Sequence, residues 1–194
     1  MRVKLGGGAP AAARSCRVEL TDGITTLRRP TEDDAPAMAA MVQDSLDLLR
    51  PWMPWATDDY DVDNALDWVR GVVDSTEHRF LITEGGRLVG ACGLNRIDPL
   101  HRTANLGYWL RADAIGKGHA TRATRLVAAY GLALEAVELV HIEMSTRNEP
   151  SRAVAERSGA RYEGVLRSRL LLRGERHDVH VFTLVEGEIR PRLH

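Results

Sequence analysis

Apolar positions recur along the chain with two periods. Ala35, Met38, Met41, Val42, Leu46 and Leu49 fall at helical spacing, which predicts one core-facing helix. Thr31-Glu32-Asp33-Asp34 precedes them, with Thr31 able to cap and the acids suited to the positive end of the helix dipole. The run Arg50-Pro51-Trp52-Met53-Pro54-Trp55 ends that helix, because prolines so placed cannot be helix interior. A second helix is expected over about 63–73 with Leu66, Trp68 and Val69 inward, and a longer one carries Ala120, Ala123, Val127, Tyr130 and Leu134 on one face. Strand-like runs lie between them. Residues 18–27 read as a strand or hairpin around Asp22-Gly23, and 80–82 and 88–94 as a hairpin turned by Gly85-Gly86. Further strands are expected at 103–110 and 139–144, and a last hairpin at 165–172 and 178–185 around Arg173-Gly174-Glu175. A short helix over 150–157, with Asn148 near its cap and Gly159 at its end, precedes that hairpin. These elements predict an α/β (α+β) domain built on a mixed, largely antiparallel sheet with helices on both faces.

Composition narrows the class. A chain of 194 residues suits one domain with a sizeable core, and 44 % hydrophobic residues is ordinary for a globular protein. The glycine- and alanine-rich residues 1–16 read as a flexible extension without the apolar centre of a signal peptide, leaving 17–194 as a single domain. A formal net charge of −1 argues against a surface dominated by nucleic-acid binding. No apolar run approaches a membrane span. Cys16 and Cys92 are far apart and form no metal-ligand spacing, so neither a disulfide framework nor a zinc site is expected and a reducing cytoplasm fits.

The densest chemistry sits between the strand at 103–110 and the long helix. Gly116-Lys117-Gly118-His119-Ala120-Thr121 is a strand-to-helix turn in which two glycines flank a lysine. Glycine lets backbone N–H groups approach a phosphate, the helix start adds about half a positive charge, and Lys117 adds a full one. The stretch therefore reads either as a tight turn or as a pyrophosphate cradle. Gly118 after Lys117 excludes a kinase-type phosphate loop, and Thr121 stands where a dinucleotide fingerprint needs Gly or Ala.

Gly107-Tyr108-Trp109-Leu110, the Gly116–Ala120 turn, Asn148-Glu149-Pro150-Ser151 and Ser158-Gly159-Ala160 occur together in one superfamily. With Asn95-Arg96-Ile97-Asp98-Pro99-Leu100, Glu163-Gly164, Gly174 and Asp178, they make the chain resemble the GNAT N-acetyltransferases. Within these it resembles the RimJ/RimL-like branch, which includes ribosomal-protein serine N-acetyltransferases. The resemblance runs from about Ile24 onward and departs at Ile115, where the family places Gln or Arg, and at Ala160, where Phe is common.

The resemblance implies a seven-stranded sheet whose strands at 106–110 and 139–144 are parallel and then splay. It implies acetyl-CoA as acyl donor, with no metal and no covalent enzyme intermediate. Tyr108, Trp109, Leu110, Ile115, Gly116, Lys117, Gly118, His119, Ala120, Thr121, Asn148 and Ser151 are then expected along the cofactor. Glu143 is the candidate base, its alternative being a surface carboxylate; Ser151 is expected near the CoA sulfur, its alternative being a helix cap. Trp52 and Trp55 either line the acceptor entrance or plug the core edge. Asn105 occupies a position where relatives often carry an acid, Ala155 one where a tyrosine donor is used elsewhere, and Asp178 could face a cationic acceptor or be an exposed charge. The expected acceptor is a protein or peptide N-terminal α-amine. A small amine such as an antibiotic, polyamine or amino acid, and a non-catalytic CoA sensor, are the alternatives. Neither nucleic acid nor membrane is expected as a partner, and a homodimer is compatible.

Overall fold

In the computed structural model, which describes residues 18–71 and 77–188, the alternation and turn signals resolve into eight strands and five α-helices. The first hairpin pairs β1 (Glu19–Thr21) with β2 (Thr26–Arg28), so the sheet holds one strand more than the seven expected. Its turn is closed by Asp22, whose Oδ1 accepts from the amides of Ile24 and Thr25 at 3.0 and 2.8 Å. The apolar periodicity expected as one helix divides into α1 (Ala35–Gln43) and α2 (Leu46–Leu49). The break falls at buried Ser45, whose hydroxyl accepts from the amide of Ala112, a distant residue the local pattern does not contain. The next helix, α3 (Val62–Arg70), starts behind an Asp61 cap and stops at left-handed Gly71; its expected extension to Val73 lies outside the described residues. The expected extension at 1–16, with Cys16, lies outside them too.

The rest of the sheet is β3 (His78–Glu84), β4 (Arg87–Asp98), β5 (Thr103–Leu110), β6 (Leu139–Ser145), β7 (Arg161–Leu172) and β8 (Glu175–Val185). Helix α4 (His119–Leu132) crosses from β5 to β6, and α5 (Glu149–Ser158) follows β6. The strand order is β1-β2-β3-β4-β5-β6-β8-β7, with β5 and β6 parallel and the other neighbours antiparallel. A parallel neighbour requires such a helical crossover, which the α4 periodicity supplies.

Alternation divides the sheet into two cores. Phe80, Ile82, Leu94, Leu106, Ile142 and Phe182 face α4 with Ala123 and Val127. Leu81, Ala91 and Trp109 face the other way, onto Met38, Met41, Val42 and Leu49. Among the described residues no helix is long and apolar enough to cross a membrane.

Candidate active site

The parallel pairing of β5 and β6 lasts only three residues: Thr103 with Leu139, Ala104 with Val140, and Asn105 with His141. Beyond Asn105, β5 stays paired with β4 as far as Leu110 while β6 follows β8, so the two strands part. The Arg111 amide donates to the Val89 carbonyl at 3.0 Å, which fixes the phase of the antiparallel ladder. Odd residues of β5 bond toward β4, and the backbone groups of Tyr108 and Leu110 face the opening. Free main-chain donors and acceptors therefore line one side of the gap, as a pantetheine arm requires.

The glycine turn lies at the end of β5. Gly116 has φ 79° and Gly118 φ 84°, the latter as the N-cap of α4. A Cβ at Gly116 would meet nothing within 4 Å, and one at Gly118 only Arg122 Nε at 3.9 Å. The glycines are thus required by backbone conformation and leave the concavity open to an anion. Ile115, Gly116, Lys117 and Gly118 are exposed, and Thr121 is partly so. Arg122 binds Asp22 at 2.7 Å, tying the first hairpin to the start of α4. The ring of His119, expected along the cofactor, is 1 % exposed and lies 3.0 Å from the Thr25 hydroxyl through Nδ1. It is turned away from the cradle, so this residue can serve an anion only through its backbone. Buried Ala120 packs into the helix face beside it.

Asn148 caps α5 by accepting from the Ser151 amide at 3.1 Å. That frees the Ser151 hydroxyl, which lies 2.8 Å from the Tyr108 hydroxyl; Tyr108 also reaches the Ser151 carbonyl at 3.2 Å. The phenol from β5 thus spans the opening to α5. Burial pushes its pKa up to about 12, so it remains a protonated donor. This pairing joins residues 43 apart in sequence, and no local pattern signals it.

Across the sheet, Glu143 Oε2 accepts from Arg96 Nη2 at 3.0 Å. Arg96 is aimed there by a bulge in β4, where it adopts φ 48°. Arg96, Glu143, Arg169, Leu170 and Val179 line an open pocket of about 210 Å³. A larger depression of about 500 Å³ flanks Arg102 and Glu138, before β5 and β6 begin, and contains none of the candidate groups.

Trp55, 40 % exposed, meets Trp109 edge-on with ring centroids 5.6 Å apart, and Tyr60 at 5.5 Å. Trp52 is partly buried nearby in sequence. Arg173, at the β7–β8 turn, donates to the carbonyls of Arg50 (3.3 Å), Met53 (3.4 Å) and Ala56 (2.9 Å), a clasp on the tryptophan segment that sequence reasoning missed. Asp178 is an exposed charge on β8, one of the two roles expected for it, and its Oδ1 accepts from the Ser168 amide at 2.8 Å, holding the β7 bulge where Ser168 has φ 52°. Strand alternation puts its side chain on the face opposite Glu143. Asn105 donates to Asn95 Oδ1 at 2.8 Å on the Glu143 face. Among the described residues no three His, Cys, Asp or Glu cluster as metal ligands. Burial pushes the Cys92 thiol well above its usual range, which removes it as a nucleophile.

The family model described as an acetyltransferase (GNAT) domain matches residues 25–161. YdaF of Bacillus subtilis (strain 168), provisionally named a ribosomal N-acetyltransferase, is 32 % identical over 170 residues, covering 84 % of this chain and 92 % of that protein. The ribosomal-protein-serine acetyltransferase of Escherichia coli (strain K12) is 33 % identical over 107 residues, 55 % of this chain and 59 % of that one. Among solved structures, RimL, the ribosomal L7/L12 α-N-protein acetyltransferase in complex with coenzyme A, superposes with a TM-score of 0.80 at 21 % identity, covering 87 % of this chain and 98 % of that one.

Proposed function

The chain belongs to the GNAT acetyltransferase family, in its RimJ/RimL-like branch, and we propose that it transfers the acetyl group of acetyl-CoA to the α-amine of a protein or peptide N-terminus. The observation that carries this reading is the parting of β5 from β6 immediately after Asn105 and His141. The pyrophosphate lies at the Gly116–Ala120 turn beside Lys117 and Thr121, and the pantetheine runs along the backbone of Tyr108 and Leu110 past Trp109. The Leu110 N–H receives the thioester oxygen as negative charge develops on it.

The amine enters between Trp52 and Trp55 and the Arg173 clasp, where Glu143 receives its ammonium and assists loss of the proton. The amine attacks the thioester carbon directly. As the C–S bond breaks, the Ser151 hydroxyl, backed by Tyr108, protonates the leaving sulfur. An α-amine titrates near ~7.7–8.0 and a lysine near ~10.4, so an α-amine is easier to deprotonate by about 3–4 kcal/mol. One carboxylate in an ion pair suits the easier acceptor. The spermidine N(1)-acetyltransferase of Escherichia coli (strain K12), 28 % identical over 102 residues, favours a small-amine acceptor as the second reading.

Thiol release with a panel of N-terminal peptides, polyamines and amino acids tests the choice. Peptide α-amines are expected to give the highest kcat/KM, and Glu143→Gln to lower it mainly at low pH, with partial recovery as the acceptor becomes neutral. Turnover confined to polyamines would overturn the peptide reading, and no thiol release from any amine would leave a CoA-binding protein without catalysis.

A further inference from the structure

Two buried polar atoms stand without a hydrogen-bond partner where the sheet begins to open: Asn105 Oδ1 and His141 Nδ1. They belong to register partners on adjacent parallel strands, the last such pair before β5 and β6 part. Both side chains therefore project from the same face, the one that carries Glu143 two residues beyond His141. Asn105 is braced from behind, because its Nδ2 donates to Asn95 Oδ1 at 2.8 Å and Asn95 is its register partner on β4. A row of Asn95, Asn105 and His141 thus crosses three strands at the apex of the gap.

The two orphan atoms are chemically complementary. An amide oxygen accepts, and a ring N–H donates. Leaving each buried and unpaired is costly, and such exceptions call for an explanation. An Nδ1–H held by a carbonyl oxygen leaves Nε2 as the basic nitrogen, the logic by which a third group orients a catalytic imidazole.

We propose that Asn105 and His141 are the proton-accepting dyad of the acceptor site: their two atoms, unpaired in this structure, turn to each other when the acceptor binds, so that Asn105 Oδ1 holds His141 Nδ1–H and His141 Nε2 takes the first proton from the acceptor ammonium. This rests on the acyl-transfer reading above. The freed nitrogen lone pair forms the N–C bond to the thioester carbon, and collapse of the adduct breaks C–S. The departing sulfur takes the Ser151 proton, which the second proton shed by nitrogen replaces. The proton on His141 passes to solvent, so acetylation of one ammonium releases one net proton.

The surroundings keep the ring ready. Burial is the largest influence and lowers its pKa, Glu143 and Glu163 oppose that, and Arg96 adds to it. Thr183, the register partner of His141 on β8, donates to Glu163 Oε1 at 2.7 Å and holds that carboxylate in place. The net direction is downward, so the imidazole is neutral throughout the range above its ordinary ~6.5 and can accept a proton there. Glu143, committed to Arg96, anchors the ammonium while His141 removes the proton.

The test is the pH profile of kcat/KM with a series of peptides whose α-amines differ in basicity. The acidic limb is expected below about 6.5 and at the same pH for every acceptor. His141→Gln should abolish that limb and lower kcat/KM at least 100-fold. Asn105→Asp should move the limb upward by about one unit or more, because a carboxylate beside Nδ1–H favours the imidazolium. CoA affinity by calorimetry checks that each variant is folded. If His141→Gln does not fold, the Asn105→Asp limb decides. A limb that tracks acceptor basicity and survives His141→Gln, or an unmoved limb in Asn105→Asp, overturns the dyad. Wild-type protein that releases no thiol at any pH overturns the acyl-transfer reading instead, so the two failures are distinct.

Discussion

Gly118→Val separates a phosphate cradle from an ordinary turn. Gly118 caps α4 at φ 84° and ψ 0°, the left-handed region, where an L-residue costs about 1–2 kcal/mol and a β-branched one more. The substitution creates no internal clash, since the nearest atom to a new Cβ is Arg122 Nε at 3.9 Å. Two outcomes are open to the chain, and both harm an anion site. Either the turn keeps its conformation and a branched side chain occupies the concavity, or φ changes sign and the N–H groups turn away. CoA affinity should fall at least tenfold, equivalent to about 1.4 kcal/mol. The strain alone should lower Tm by about 2–8 °C, at 2–4 °C per kcal/mol for a chain of this size. Gly187→Val supplies the control: Gly187 has φ 88° with equally open space around it, but lies in the turn after β8. It should lose similar stability while binding CoA as the wild type does. Calorimetric titration beside thermal unfolding reads both quantities. Wild-type CoA affinity in a folded Gly118→Val protein would refute the cradle, and an equal affinity loss in Gly187→Val would trace the effect to general destabilisation.

Ser151→Ala is expected to lower kcat at every pH while weakening acetyl-CoA binding by no more than about 1 kcal/mol, and Tyr108→Phe, which removes the 2.8 Å partner of that hydroxyl, should lose part of the same rate. Steady-state kinetics beside calorimetry checks this, and unchanged kcat in Ser151→Ala would end the proton-donor role. Asp34 is held down at a pKa of about 2, first by the hydrogen bonds from Arg28 at 2.6 and 2.8 Å. A depressed carboxylate contributes its full stabilisation above its unfolded value of ~3.9 and loses it as pH falls toward about 2. Denaturant unfolding of wild type and Asp34→Asn should therefore differ near pH 6 by about 1 kcal/mol or less, given the exposure of Arg28, and the gap should shrink steadily as pH falls from about 4 through about 2; a constant gap would contradict the linkage.

Features written into neighbouring residues were legible in the sequence. The Gly85-Gly86 hairpin, the strand–glycine–helix turn and the cap at Asn148 each follow from a few adjacent side chains, and each stands where the pattern puts it. What the pattern could not carry depends on distant partners. Ser45 interrupts the first helix while bonded to Ala112, 67 residues away. His119 follows the cradle glycines in sequence, yet its ring turns inward to Thr25 in the turn before β2. Asp178 is spent on the Ser168 bulge, and Arg173 finds its carbonyl partners more than a hundred residues away.

The sheet's alternation also explains how so few groups can suffice for the proposed transfer. Tyr108 packs with the core that faces α4 and reaches Ser151 on α5, whereas Trp109, one residue on, packs with the opposite core. Asn105, His141 and Glu143 share the phase of Trp109. A thioester lying in the gap between β5 and β6 is then approached by the amine from one face, while the hydroxyl that receives the sulfur waits on the other. Closing that gap by continuing the parallel ladder past Asn105 would pair the N–H of Leu110 that the proposed transfer uses and would wall the two faces apart. In the proposed transfer, the early end of one three-residue strand pairing is therefore what makes a chemical site out of two separately packed surfaces.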